Sequence, residues 1–138
     1  MNLATLRLEG PDEAIQTVRN TLGLVADSTY KQGDPKHRGG FHSSSGLGAT
    51  IANEKNPREM VAAIRKFIAK CQSRNIILAG QGLSSELAIG VTAGDSEQFV
   101  AIVDFSTSDL LSLGALGVEL SFTAYPTSDE ANEIDQDT

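Results

Sequence analysis

From Asn56 to Cys71 the chain reads NPREMVAAIRKFIAKC, and one secondary structure suits it. Met60, Val61, Ile64, Phe67, Ile68 and Cys71 recur at three- and four-residue spacing, the apolar face of an α-helix. Arg58, Arg65, Lys66 and Lys70 fall elsewhere on the wheel. Asn56 is suited to cap the helix, Pro57 to start it, and Glu59 to sit against the positive N-terminus. A stripe this continuous has to be buried against another layer, so the rest of the chain must supply that layer. As part of the core stripe, Cys71 reads as a buried thiol rather than a reactive one.

Strands are legible on both sides of it. Ala4, Leu6 and Leu8 alternate with Thr5, Arg7 and Glu9, the period of a half-buried strand. Gly10-Pro11-Asp12-Glu13 then opens a second helix with Ala14, Ile15, Val18 and Leu22 on one face, and Gly23 is placed to end it. Leu24 to Tyr30 reads as an extended return. PDEAIQTVRNTL (Pro11 to Leu22) and PREMVAAIRKFI (Pro57 to Ile68) share a phrase. It fits either a duplicated strand–helix unit or the grammar of a helix start used twice. Leu87, Ile89 and Val91 alternate in a further strand. FVAIVDF (Phe99 to Phe105) is apolar enough for a central strand covered on both faces. Thr107, Ser108 and Asp109 offer a cap for a short helix through Leu113, and Val118 to Tyr125 alternates as a last strand. The expected fold is an α+β domain over residues 1–126: an antiparallel sheet, two main helices packed on one face, and a short third helix. Thr127 to Thr138 carries no apolar pattern and reads as a disordered acidic tail.

Charge narrows the function. The net charge of −7 hides an asymmetry: all 11 Lys and Arg residues lie at or before Arg74, beside 7 acids, whereas residues 75–138 hold 11 acids and no base. That split argues against nucleic acid as a partner, since its binders present a dominant basic surface. It favours a basic protein partner for the acidic half, with Glu86, Asp104, Asp109 and Glu119 as the candidate contacts. Against this stands the plain reading of an acidic surface that maintains solubility. No apolar run approaches the ~20 residues of a membrane span, and the N-terminus does not read as a signal peptide. A cytoplasmic location is expected, consistent with one cysteine and no possible intrachain disulfide.

The stretch KQGDPKHRGGFHSSS (Lys31 to Ser45) gathers both histidines and three bases. Asp34, His37, His42 and Ser43 to Ser45 are the residue types of a hydrolytic triad, but triads are assembled from separate elements, and no GxSxG occurs here. The phosphate-loop pattern GxxxxGK[ST] is likewise missing. Two histidines without further ligands do not make a metal site. Neither catalytic residues nor a cofactor are expected. The stretch reads as a loop, with Asp34-Pro35 a turn and Gly39-Gly40 a hinge before a strand starting near Phe41. An alternative function, sensing a small ligand or anion, would use Lys31, Lys36, His37 and Arg38.

Several segments in order resemble one family. A helix ending in Leu-Gly-Leu (Leu22 to Leu24), Lys-x-Gly-Asp (Lys31 to Asp34), Ser-Glu-Leu-x-Ile (Ser85 to Ile89) and the run from Leu110 to Tyr125 are similar to the small bacterial proteins of domain of unknown function 4279. That family usually has tryptophan where Phe41 stands, and this chain has none. The resemblance implies a compact α+β domain with no catalytic residues to transfer. It also implies an immunity or antitoxin role: a non-enzymatic protein that neutralises a cationic toxin or nuclease by direct binding. Unprotected sheet edges leave a homo-oligomer open.

Overall fold

The computed structural model describes residues 1–136 of the chain. Its elements are β1 (Asn2–Gly10), α1 (Asp12–Leu22), β2 (Ser28–Tyr30), β3 (Ser45–Asn53), α2 (Pro57–Ser73), β4 (Ser84–Ala93), α3 (Thr107–Leu116), β5 (Val118–Pro126) and α4 (Asp129–Gln136). One sheet in the order β2-β3-β1-β4-β5 carries them, and the fold is α+β.

The strand alternation sets the two faces. Ala4, Leu6 and Leu8 of β1 lie beside Ile89, Leu87 and Ser85 of β4 and beside Ala52, Ala49 and Leu47 of β3. These side chains are buried together with Ile15, Val18 and Leu22 of α1 and the predicted stripe of α2. Between Ala4 and Thr5 the β1–β3 register slips by one residue, with Ile51 as the extra residue of a bulge. Asn56 caps α2 as expected, its side-chain oxygen accepting from Glu59 N at 2.9 Å. Gly23 ends α1 in the left-handed region at φ 64°. Pro11 occupies the position before α1 rather than its first turn.

Three expectations are corrected. FVAIVDF is not a strand: residues 101–106 have no regular structure, and Phe99, Val100 and Ile102 are exposed. Both sides of β4 are already taken, by β1 and β5, so the sheet has no place for it there. Without that strand between them, β5 lies directly beside β4. The chain returns through the irregular segment and α3, and β5 runs parallel to β4, so the sheet is mixed rather than wholly antiparallel. Second, β3 begins at Ser45, not near Phe41, because residues 33–42 form a small hairpin excursion of their own. Third, the tail predicted to be disordered is helical over Asp129–Gln136. Ser128 caps it by accepting from Ala131 N at 3.1 Å, Asp129 accepts from Ser96 N at 2.8 Å, and Asn132 donates to Asp95 at 2.7 Å. The same expectation for Asp137 and Thr138 lies outside the described residues.

Candidate functional site

The helices leave one face of the sheet open. The residues facing outward from β1 are Leu3, Thr5, Arg7 and Glu9, opposite its buried Ala4, Leu6 and Leu8. Register places Gly48 and Gly46 of β3 and Glu86 and Ser84 of β4 beside Arg7 and Glu9. In β5, Glu119 lies directly beside Glu86, then Ser121 beside Ala88 and Thr123 beside Gly90. Small and polar side chains dominate, so this face does not require an apolar layer to cover it. Arg7 and Glu86 form an ion pair at 3.3 Å, and the Ser44 hydroxyl donates to Glu9 at 2.8 Å. Glu119 is exposed, and its side chain makes no hydrogen bond among the described residues.

A hollow of about 550 Å³ opens here, lined by Arg7, Glu9, Tyr30, Glu86 and Glu119 among others. Tyr30 forms its wall because Gly46 has no side chain: a Cβ there would run into the phenol ring. The ring stacks on His42 with centroids 3.7 Å apart. Burial, with the nearby Glu9 charge second, raises the Tyr30 pKa above its ordinary value.

Two of the four predicted partner contacts, Glu86 and Glu119, are thus neighbours on one surface. The other two lie elsewhere. Asp104 is exposed on the irregular segment, at a hollow of about 640 Å³ that it shares with Arg58, Val61 and Ile102. Asp109 is buried and committed internally. It accepts from Arg65 Nε at 3.0 Å and Nη2 at 2.8 Å, and from Ser106 N at 2.8 Å. Ser106 returns the bond by accepting from Asp109 N, so the cap of α3 is Ser106 in a capping box, not Thr107 or Ser108. The Arg65 guanidinium holds the Asp109 carboxyl well below the usual carboxylate range and is itself raised. Asp109 is therefore corrected from a partner contact to a structural residue. The sequence reading passed over Arg7, Glu9 and Tyr30. The alternation of β1 places Arg7 and Glu9 on one face, but only the strand order brings them to Glu86.

Lys31, Lys36, His37 and Arg38 are all exposed. Gly39 N donates to Lys36 O at 3.2 Å, closing a turn that puts Lys36, His37 and Arg38 at the hairpin tip. Lys31 is at the base, its N–H held by Asp34 Oδ2 at 2.7 Å. The four do not share one cradle. Asp34 is occupied by this turn, and no imidazole hydrogen bond to its carboxylate is found among the described residues. Nor, among the described residues, do three His, Cys, Asp or Glu side chains gather there as a metal set. Cys71 is buried as predicted, and burial pushes its thiol up to about 11.

The fold and site define an α+β protein with a five-stranded mixed sheet and one open face bearing carboxylates. Among the described residues no helix is long and apolar enough to cross a membrane. Comparison with protein families, with curated proteins and with solved structures finds no match for this chain.

Proposed function

We propose that the protein is a non-enzymatic binding protein that engages a basic protein partner through the open face of its sheet. The observation that carries this reading is the pairing of Glu86 with Glu119 in register on an uncovered polar surface. Two adjacent carboxylates with Glu9 nearby leave an excess of negative charge that the single Arg7 does not neutralise. Adjacent like charges cost free energy in the isolated sheet. A cationic side chain entering the hollow relieves that repulsion. The acidic second half of the chain steers such a partner from a distance.

In its sharpest form the proposal is an immunity protein that neutralises a cationic bacterial toxin or nuclease in the cytoplasm by covering its active surface. The resemblance in the segments from Leu22 to Tyr125 agrees with that role. The direct experiment mixes the protein with the products of genes neighbouring its own and measures binding and inhibition. A basic toxin that is bound and inhibited, with an association rate that falls as salt rises, supports the reading. Binding whose on-rate ignores salt removes its electrostatic basis.

A further inference from the structure

The two edges of the sheet differ. At one edge β2 is three residues long and lies between Asp27 and Lys31, the short, charged kind of edge that resists pairing. At the other, β5 is nine residues long, and from Leu120 to Tyr125 it reads LSFTAY, with no charge and no proline. Among the described residues no strand lies beside its outward backbone groups.

The apolar core also runs out to this edge. Phe122 lies on the helix-covered face, next to Ile89, yet is 57 % exposed. Phe105 meets it edge-on at 6.3 Å. In α3, Asp109, Leu113 and Leu116 point inward, and Ser112 turns to α2, where it accepts from Gln72. Leu110 is on the opposite flank of that stripe, away from α2 and towards the free edge, and is half exposed.

We infer that β5 is a dimerisation edge: a second copy of this chain pairs with it antiparallel about Phe122, joining two five-stranded sheets into one of ten. The edge is self-complementary in that register. Two-fold pairing about Phe122 sets Phe122 against its own copy, Leu120 against Ala124, Ser121 against Thr123, and Glu119 against Tyr125. The one charged residue of the strand is thereby kept about 20 Å from its copy along the strand direction. Leu110, Phe105 and Phe122 of both copies then close over each other. This edge meets the hollow at Glu86 only at Glu119, and its salt response has the opposite sign. Each copy carries −7, so added salt tightens the dimer while it weakens the docking of a basic partner.

The test is sedimentation of the full chain over a wide range of concentration and at low and high salt, with Phe122→Lys and two cysteine variants. Expected are a concentration-dependent dimer that tightens with salt and a folded Phe122→Lys variant that associates about tenfold or more weakly. On mild oxidation Phe122→Cys is expected to cross-link readily and Glu119→Cys not, because only the former places two thiols opposite each other. Should Phe122→Lys fail to fold, the two cysteine variants decide alone. A chain that stays monomeric throughout, a dimer that Phe122→Lys leaves intact, or Glu119→Cys cross-linking as fast as Phe122→Cys overturns the inference.

Discussion

Replacing Asp109 by alanine tests whether the acid at the start of α3 is structural. The substitution removes the Arg65 bonds, the shortest 2.8 Å, and the bond from Ser106 N, also 2.8 Å. Ser106 retains its own cap of the Asp109 backbone N–H, so half of the capping box survives. What goes is one charge-assisted bond to a backbone donor and an ion pair whose arginine side is half exposed, which limits its worth. Together these come to about 2–3 kcal/mol, or a fall in melting temperature of about 8–10 °C for a domain this size. The pH dependence has a definite sign. The folded pKa of Asp109 is depressed, so its contribution is present above the unfolded value of about 3.9 and is lost as pH falls towards the folded one. Thermal unfolding of wild type and Asp109→Ala across pH 3 to 7 (roughly the span over which a carboxyl titrates) therefore shows a gap that is widest near neutrality. Equal melting at neutral pH, or a gap that does not shrink in acid, refutes the structural assignment.

Other expectations are shorter. Glu86→Lys with Glu119→Lys should slow association with a basic partner while shifting the melting temperature little, as read by binding kinetics and circular dichroism. Gly46→Ala should destabilise the protein by about 1–3 kcal/mol in urea unfolding, because the new methyl displaces the Tyr30 ring; a neutral or stabilising effect contradicts that packing. Cys71, buried with its thiol pushed up to about 11, should resist a thiol reagent in the native protein and react in denaturant. Rapid native labelling would mean that the α2 stripe is not buried.

Helices were easier to read from the sequence than the sheet. The stripe from Met60 to Cys71 and the Asn56 cap appear as expected because both are set within a few residues. FVAIVDF misled for the converse reason. Its composition suits a strand, but a strand also needs a free neighbour, and pairing of β4 with β1 and β5 is decided far away along the chain. The parallel pairing of β5 with β4 was missed for the same reason. The tail helix depends on Asp129 and Asn132 meeting Ser96 and Asp95, contacts more than thirty residues apart in sequence. At the candidate site, charge counting found Glu86 and Glu119 but could not separate them from Asp109, since ion pairing with Arg65 is a tertiary fact. Arg7, Glu9 and Tyr30 join the acidic pair only through strand order and the bare backbone of Gly46.

The most direct test of the open face compares wild type with the Glu86→Lys, Glu119→Lys double variant as immobilised baits for basic proteins of the native host. Retention of a basic protein by the wild type at low salt, its release at high salt and its loss from the folded double variant are the expected results. The same protein held equally by both baits, whatever the salt, would contradict the proposed role of this face.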